Sequence, residues 1–255
     1  MGALHEGHLS LIRRSAQECD FTVMSIFVNP LQFGPNEDLE AYPRTLDHDM
    51  HAAEEAGADL VFYPNAQEIL GDNRLAFVDI EELQGNLCGR SRPGHFRGVC
   101  TIVAKLFNIV TPDRAYFGQK DIQQFIILQK MVQDLNFDLD IIRCPIVREK
   151  DGLAMSSRNQ YLSATERRDA RVLHRALQRG RQLCLQGEQN AARIIAELKT
   201  ILEKPGSSRI DYVSIVDKSM HDVDTVKNGD ILAVAVFIGK TRLIDNTIFG
   251  DPEND

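Results

Sequence analysis

The sequence predicts an α/β protein in which a doubly wound parallel sheet is followed by a smaller α+β domain. Apolar runs of strand length alternate with helical patterns through residues 1–150, and this alternation is typical of parallel strands joined by crossover helices. After Arg158 the order changes to two helices followed by three strands. We therefore expect one domain over residues 1–156 and a second, smaller domain over residues 157–255.

Four runs in the first domain are predicted strands. Residues 21–28, FTVMSIFV, form a continuous apolar run rich in β-branched and aromatic side chains, as expected of a strand that is buried on both faces. Shorter or similar runs follow at residues 60–63, 114–117 and 139–147. Each run is separated from the next by enough residues for a crossover helix.

The segments around these strands have helical periodicity. The candidates are residues 8–19, 46–56, 96–110 and 121–136. In the last of them Phe125, Leu128, Val132 and Leu135 follow one another at steps of three and four residues, so they share one helix face. That face is the one we expect against the sheet.

The second domain begins with a helix start signal. Ser163 and Glu166 have the spacing of a capping box, in which each side chain accepts from the other's backbone N–H. A long helix is predicted from there to Gly187, and a second helix to about Glu203. Turn signals then separate predicted strands at residues 210–216, 231–238 and 241–245.

Composition and charge exclude several classes of protein. The formal net charge is −8, from 29 basic and 37 acidic residues, and the basic residues are scattered, which argues against nucleic-acid binding. The five cysteines include no C-x-x-C pair, as expected of a reduced cytoplasmic protein. No apolar run reaches the roughly 18 residues of a membrane span, and the chain starts without a secretory signal pattern.

The first candidate site is the glycine- and histidine-containing segment MGALHEGH at residues 1–8. Gly2 and Gly7 have the Walker A spacing, but the Lys-Ser/Thr pair that should follow is absent. His5 and His8 are three residues apart, so the zinc motif H-E-x-x-H is not present either. A loop that leads into a helix start is suited to phosphate. Two histidines near a helix start are also common as plain surface residues.

The second candidate site follows the predicted strand at residues 114–117. It contains Gly118, Gln119, Lys120 and Asp121, with Gln124 one helical turn later. Ligands of α/β sheets bind beyond the carboxyl ends of strands, and Lys120 offers a mobile cation for phosphate. Asp121 and Gln124 also have the spacing of a helix cap, and the sequence leaves open whether they form a cap alone or also contact a ligand.

Two further polar segments complete the set of candidates. Residues 155–159, MSSRN, carry two hydroxyls and a guanidinium, which suits a phosphate clamp or a polar linker. Asn29 and Gln32 lie in a turn after the first strand. Their uncharged amides would suit a substrate with hydroxyls and a carboxylate, although a simple Asn-Pro turn has the same sequence.

Taken together and in this order, these motifs resemble the nucleotidylyltransferase superfamily. Within it, MGALHEGH, SIFVNPLQF, YPRT, RPGHFRGV, FGQKDIQQ and MSSRN are similar to the pantoate–β-alanine ligases (pantothenate synthetases). The resemblance runs from Met1 to about Asn246. It implies a Rossmann-like first domain and the ATP-dependent joining of pantoate to β-alanine through a pantoyl-adenylate intermediate, with AMP and pyrophosphate as the other products.

The same resemblance implies roles for individual residues. ATP would be bound by Met1, Gly2, Ala3, Leu4, His5, Glu6, Gly7, His8, Gly118, Gln119, Lys120, Asp121, Val147, Met155, Ser156, Ser157 and Arg158. The catalytic set would be His8 (the proton donor), His5, Lys120, Ser156, Ser157 and Arg158. Gln32 would contact pantoate and β-alanine, Gln124 would contact pantoate, and Asn29 is added as a substrate-binding candidate.

The resemblance also bears on cofactors, partners and the start of the chain. ATP would be a substrate, Mg²⁺ would arrive mainly on its phosphates with no protein metal site, and the protein would be a cytoplasmic homodimer. Relatives carry a first strand ahead of the Met-Gly motif, so we expect a sheet domain that lacks this strand and a longer parent protein. Two alternatives follow: a non-catalytic nucleotide-binding fragment, or a sibling nucleotidylyltransferase with another acceptor.

Overall fold

The computed structural model describes residues 2–35, 37 and 39–252. The chain forms two compact units. Unit 1 comprises Met1–Gln84, Arg92–Gly118 and Gln124–Cys144, and unit 2 comprises Gly85–Ser91, Gln119–Gln123 and Pro145–Asp255. The predicted division into residues 1–156 and 157–255 stays a prediction beside this description.

Helices and strands alternate through the first two thirds of the described chain, except that three helices follow one another between the second and third strands. In chain order the elements are α1 Glu6–Glu18, β1 Val23–Ser25, α2 Leu46–Glu55, β2 Leu60–Phe62, α3 Ala66–Leu70, α4 Leu87–Ser91, α5 His95–Val110, β3 Arg114–Gly118, α6 Ile122–Asp134, β4 Asp140–Cys144, α7 Ala164–Ala170, α8 Val172–Leu185, α9 Ala191–Leu202, β5 Ser208–Val216, β6 Ile231–Ile238 and β7 Thr241–Ile248. Short 3-10 turns connect several of them.

Unit 1 is built on parallel strands. β1 pairs with β2, with Val23 opposite Leu60, and β3 pairs with β4, with Arg114 opposite Asp140. Among the described residues these are two separate two-stranded sheets. Apolar side chains of α1, β1 and α2 form one core cluster, which includes Ile12. A parallel strand pair needs such helices because both of its faces must be covered.

Unit 2 is an antiparallel sheet packed on helices. The strand order is β5-β6-β7, with β6 in the centre. Strand β6 is buried along almost its whole length, and Leu232 and Val234 join Leu177 of α8 and Ile194 of α9 in one apolar core. This core gives the C-terminal part of the chain its own hydrophobic support.

The predicted fold class is confirmed: the protein is α/β with parallel strands and a C-terminal α+β part. One predicted helix is wrong in detail, because the long helix after Ser163 is broken into α7 and α8 at Arg171. The capping box is present, with Ser163 Oγ accepting from Glu166 N–H at 3.3 Å and the Glu166 carboxylate accepting from Ser163 N–H at 2.9 Å. Over the described residues, no helix is both long enough and apolar enough to cross a bilayer.

Candidate functional site

A buried aspartate holds the loop that leads into α1. Asp49 on α2 is 1% exposed, and its two carboxylate oxygens accept from the successive backbone N–H groups of Ala3 and Leu4, each at 2.8 Å. Gly2 and Ala3 both have positive φ, 90° and 51°, a conformation that costs a residue with a Cβ about 1–3 kcal/mol. The carboxylate therefore stabilises a strained loop.

This arrangement bears on how the loop could bind phosphate. The amides of Ala3 and Leu4 are already bonded to Asp49, so they are not the phosphate donors that a glycine loop would suggest. The first-turn amides of α1, at Glu6 and Gly7, have no acceptor within the helix and are better placed for an anion. Met1, which is in the predicted ATP-binding set, lies outside the described residues.

His5 and His8 form a ring pair at the start of α1. His5 is the N-cap residue, and the two ring centroids are 4.0 Å apart. The backbone N–H of His5 donates to Nδ1 of His8 at 3.3 Å. Because Nδ1 accepts, the proton of a neutral His8 ring is on Nε2. His8 is thus held in the tautomer whose Nε2–H can donate to a ligand.

The predicted substrate turn after β1 is braced from within. Asn29 is 3% exposed. Its amide donates to Gly98 O and to Gln32 Oε1, both at 3.1 Å, and its Oδ1 accepts from Leu31 N–H at 3.0 Å. These contacts make Asn29 a residue that orients Gln32, while a direct substrate contact by Asn29 stays a prediction.

A second polar group supports the same turn. His95 Nδ1 lies 2.8 Å from Gln32 O, and its Nε2 lies 3.0 Å from Arg92. Arg92 donates twice to the Glu37 carboxylate, at 2.6 and 2.5 Å. Burial raises the pKa of Glu37, but the hydrogen bonds and charge of Arg92 lower it by more, so the pKa lies below its ordinary value. The turn is therefore tied to a charged pair as well as to Asn29.

The carboxyl end of β3 carries Gly118, and Gln124 follows on the first turn of α6. Asp121 immediately precedes α6 and ends a 3-10 turn of residues Gln119–Asp121. The predicted cluster thus lies where a strand gives way to a helix. Whether Gln124 contacts a ligand stays a prediction.

In unit 2 the 3-10 turn is attached to β7. Gln119 is 1% exposed, whereas the Lys120 side chain is 22% exposed and its Nζ lies 3.4 Å from Asp121 Oδ2. The side-chain amide of Asn246 donates to the carbonyl oxygens of Gln119 and Lys120, both at 3.0 Å. The backbone that carries Lys120 is therefore fixed by a residue far along the chain.

Residues 147–155 form a hairpin that ends in the serine–arginine segment. Met155 N–H donates to Val147 O at 3.0 Å, and Arg148 bridges to Ala154. Arg167 pairs with Glu149 at 2.6 Å and with Asp151 at 2.7 Å. The hydrogen bond from Arg167 lowers the pKa of Asp151 below its ordinary value. The hairpin is thus anchored to α7.

The segment after the hairpin is a short 3-10 turn, Ser157–Tyr161. Ser156 is its N-cap, with Oγ accepting from Arg158 N–H at 3.3 Å. Asn159 donates to Glu149 Oε1 at 2.7 Å and to Ala154 O at 3.1 Å. Ser157 and Arg158 are partly buried. Within unit 2, hydrogen bonds thus hold the backbone next to Lys120, at Val147 and Met155, and at Arg158.

Sequence reasoning missed the residues that support these segments. Asp49, Arg92, His95 and Asn246 make the contacts described above, yet none was a predicted site residue. Arg92 and His95 belong to the motif RPGHFRGV, which was a usable signal. Asp49 and Asn246 gave no such signal, because the candidate-site segments that they contact are 45 or more residues away.

No protein metal site is found in the part of the chain that the structure describes, since nowhere there do three His, Cys, Asp or Glu side chains come together. The donors at the candidate sites are imidazoles, an ammonium group, hydroxyls and a guanidinium. Such groups bind phosphate oxygens in preference to a hard cation.

The parallel α/β strands and the glycine–histidine loop at the start of α1 are the features expected of a nucleotide-binding enzyme. A sequence model of the family described as Pantoate-beta-alanine ligase matches residues 1–248. The chain belongs to this family.

Several relatives of known name are similar over nearly the whole chain. A pantothenate synthetase from Thermotoga neapolitana is 54% identical over 251 residues, which are 98% of this chain and 90% of the relative. One from Caldicellulosiruptor saccharolyticus is 51% identical over 249 residues, 97% of this chain and 89% of the relative.

Solved structures agree with the sequence matches. The pantothenate synthetase of Thermus thermophilus aligns with a TM-score of 0.94 at 44% identity, covering 97% of this chain and 90% of the other. The pantoate-beta-alanine ligase of Francisella tularensis, complexed with beta-gamma ATP and beta-alanine, aligns with a TM-score of 0.79 at 33% identity, covering 97% and 87%. The Rossmann-like expectation for the first domain is thereby confirmed.

Proposed function

We propose that this protein joins pantoate to β-alanine at the expense of ATP, with pantothenate, AMP and pyrophosphate as products and pantoyl-adenylate as the intermediate. Membership of the family and the ATP- and β-alanine-bound relative support the overall reaction. The observation that carries the proposal to these residues is the His5–His8 pair at the start of α1, where His8 is held with its Nε2 as the donor nitrogen.

In the first half-reaction the ionised carboxylate of pantoate attacks the α-phosphorus of ATP. An O–P bond forms between the carboxylate and the α-phosphorus, the P–O bond to pyrophosphate breaks, and the pyrophosphate leaves with the electron pair. No proton has to be removed from the nucleophile, so the protein must mainly orient the reactants and stabilise developing negative charge. Donors that are already fixed in the folded protein do this without reorganising.

The donors proposed for this task are side chains of the candidate segments and backbone amides at the start of α1. In unit 1, His5, His8 and the first-turn amides of α1 are proposed to bind phosphate oxygens. In unit 2, Lys120 supplies a cation, and Ser156, Ser157 and Arg158 supply hydroxyls and a guanidinium. The remaining proposed ATP contacts are Gly2, Ala3, Leu4, Glu6, Gly7, Gly118, Gln119, Asp121, Val147 and Met155.

Magnesium would come to the protein on the triphosphate. The residues at the candidate sites fit this arrangement. They offer cationic and neutral hydrogen-bond donors, and the described residues include no cluster of acidic ligands that could hold a metal ion. Mg²⁺ bound mainly by phosphate oxygens and water needs no such cluster. When bound, it would supply further neutralisation of the pyrophosphate charge.

Pantoate is proposed to contact Gln32 and Gln124. Gln32 is oriented by Asn29 at 3.1 Å, and its backbone carbonyl is held by His95. A side-chain amide can donate to the carboxylate or hydroxyl of pantoate and accept from the other hydroxyl. In the second half-reaction the β-alanine amine, which Gln32 would also contact, attacks the acyl carbonyl. The C–N bond forms, the acyl C–O bond breaks, AMP leaves with the electron pair, and the proton of the amine is released to solvent.

The proposal is tested by isotope exchange between pyrophosphate and ATP. With pantoate and without β-alanine, labelled pyrophosphate should enter ATP, because the first half-reaction is reversible on its own. His8→Ala and Lys120→Ala should each lower the exchange rate by about 10² or more, the loss seen on removing one well-placed donor. A rise confined to the KM for ATP would instead indicate uniform ground-state binding.

Other outcomes identify the alternatives. Exchange that requires β-alanine as well would rule out a free pantoyl-adenylate step. Exchange supported by another acid and not by pantoate would indicate a sibling nucleotidylyltransferase. A folded chain that binds ATP and exchanges nothing would be a non-catalytic nucleotide-binding protein.

A further inference from the structure

Three consecutive polar residues on β7 are buried. Asp245 and Asn246 are each 2% exposed, and Thr247 is 3% exposed. Burying a polar side chain costs free energy unless it is hydrogen-bonded, so a run of three in one strand requires a reason. β7 lies at the edge of the sheet β5-β6-β7, where its side chains can form hydrogen bonds with residues outside the sheet.

The side-chain amide of Asn246 is hydrogen-bonded to Gln119 and to the backbone of Lys120. Its Nδ2 donates to Gln119 O and Lys120 O, both at 3.0 Å, and its Oδ1 accepts from Gln119 Nε2 at 3.4 Å. Two successive carbonyl groups are thereby held by one NH₂ group. This fixes the peptide plane on either side of the Lys120 Cα atom, and with it the direction in which the lysine side chain leaves the backbone.

Asp245 in turn holds Asn246. Its Oδ1 accepts from Asn246 N–H at 2.8 Å, and Arg148 donates to its two oxygens at 2.7 and 3.1 Å. Bidentate arginine–carboxylate pairs are strong and fix the relative orientation of the two groups. A continuous path of hydrogen bonds therefore runs from Arg148 through Asp245 and Asn246 to the backbone of Lys120.

Thr247 differs from its two neighbours. Its hydroxyl oxygen is buried and has no hydrogen-bond partner among the described residues. Replacing it with the isosteric valine removes a polar group that makes no contact. Thr247→Val is thus a matched control, one residue from Asn246 and equally buried on the same strand.

We propose that Asn246 is a positioning residue for Lys120 in the adenylation step. This rests on the proposed function, in which Lys120 stabilises charge on the phosphates. Asn246 acts only through Lys120: it holds the Gln119–Lys120 carbonyls so that the ammonium group is pre-placed before ATP is bound. Without it the backbone turn relaxes, and misplacement of a catalytic group by about 1 Å costs on the order of 10²-fold in rate.

The test is a double-mutant cycle on pantoate-dependent pyrophosphate exchange. Wild type, Asn246→Ala, Lys120→Ala and the double variant are compared. Asn246→Ala should lower kcat on the order of 10²-fold and leave the KM for pantoate within about twofold. In the Lys120→Ala background the same change should cost less than about twofold, because residues that act as one unit are not additive.

Equal losses in both backgrounds would overturn the proposal, because Asn246 would then act independently of Lys120. So would a loss of the same size in Thr247→Val, which would indicate general damage to β7. If Asn246→Ala does not fold, as judged by its melting transition, Asn246→Ser retains one donor and the cycle is run with it under the same criteria. Absence of exchange in wild type would contradict the proposed function instead, and the two failures are thus distinguishable.

Discussion

Asp49 is the residue on which the conformation of the first loop depends. It is buried, it lies on α2, and it accepts from two successive amides of a segment with positive φ angles. Thr45 adds a third contact, from Oγ1 to Asp49 Oδ1 at 3.1 Å. A single carboxylate thus sets the geometry in which His5 and His8 begin α1.

We expect Asp49→Asn to lower stability by about 1–3 kcal/mol, because the new NH₂ group faces a backbone N–H that then lacks an acceptor. The pyrophosphate exchange rate should fall as well, since the loop carries His5 and His8. Urea unfolding and exchange kinetics measure the two effects. Asp47→Asn, an exposed change on the same helix, is the control. Indistinguishable behaviour of the two variants would contradict the role of Asp49.

Gln124 separates a ligand contact from a helix cap. If it contacts pantoate, Gln124→Ala weakens pantoate binding by about 1–3 kcal/mol, the cost of leaving a polar group unpaired, and leaves ATP affinity nearly unchanged. Titration calorimetry with each ligand measures this. Gln133→Ala, exposed on the same α6, should change neither. A lower melting temperature with unchanged pantoate binding would identify Gln124 as a cap.

At the scale of elements, α5 packs unusually close to the turn that carries Gln32. A Cβ atom at Gly98 would lie 2.2 Å from Leu31 O and 2.8 Å from Gln32 N. Both are backbone atoms, so no side-chain rotation can relieve the clash. Glycine at this position is what allows Asn29 to reach the Gly98 carbonyl.

Gly98→Ala should therefore destabilise the protein by about 1–3 kcal/mol, the usual cost of overpacking, and should raise the KM for pantoate by displacing Gln32. Thermal unfolding and steady-state kinetics provide the measurements. At Gly206 a Cβ meets nothing within 4 Å, so Gly206→Ala is expected to be nearly neutral. Equal stability and KM for both alanine variants would show that the turn adapts freely.

His174 of α8 packs against the hairpin of residues 147–155, and its titration makes the stability of the protein depend on pH. Its ring would lie 2.2 Å from a Cβ at Gly152. Burial lowers the pKa of His174 below its ordinary value, and the charge of Arg148 adds to the effect. The unfolded chain therefore takes up this proton more readily than the folded chain, and the linked stability is present above the ordinary histidine pKa of about 6.5.

We expect the free energy of unfolding to fall as pH decreases from about 7 to 5, because the folded state must either bury a charged imidazolium or open. His174→Gln should reduce this decrease, since glutamine does not titrate. Urea unfolding at several pH values tests it. Parallel pH profiles for wild type and variant would show that His174 contributes nothing to the slope.

The helices and strands could be predicted well from the sequence, but the hydrogen bonds between distant residues could not. The strands and the longer helices of unit 1 were found because apolar periodicity is local, and β1 and α5 differ from expectation by only a few residues at their ends. The five-residue helix α3 was missed, because it is too short to show a periodic pattern. The break at Arg171 was missed, because a change in backbone dihedrals at one residue leaves no periodic signal. The contacts of Asp49 and Asn246 span 46 and 127 residues, and no local pattern can pair them.

At the scale of the whole molecule, the chain enters unit 2 three times, at residues 85–91, 119–123 and 145–255. The second visit is only five residues long, and it contains Lys120. So short a segment must be held in place by contacts within its unit. Asn246 provides such contacts through its hydrogen bonds to Gln119 and Lys120. Each of the two compact units is therefore made of three separate segments of the chain.

The homodimer stays a prediction that rests on the resemblance to the family. We expect light scattering at micromolar concentration to give a mass of twice the 28.7 kDa of one chain, with the contact made largely by the α/β domain. Substitutions confined to β5 or α9 should then leave the mass unchanged. A measured mass of 28.7 kDa at that concentration would reject the prediction.

The position of Asn246 has a consequence for synthesis on the ribosome. A nascent chain that has reached residue 240 already contains every residue proposed to bind ATP, yet β7 has not been made and the carbonyls around Lys120 lack their partner. During translation, the residues proposed to bind ATP are thus synthesised before the residue that holds the Lys120 backbone in place. A chain that ends before β7 should therefore lose at least the roughly 10²-fold in exchange rate that is expected of Asn246→Ala.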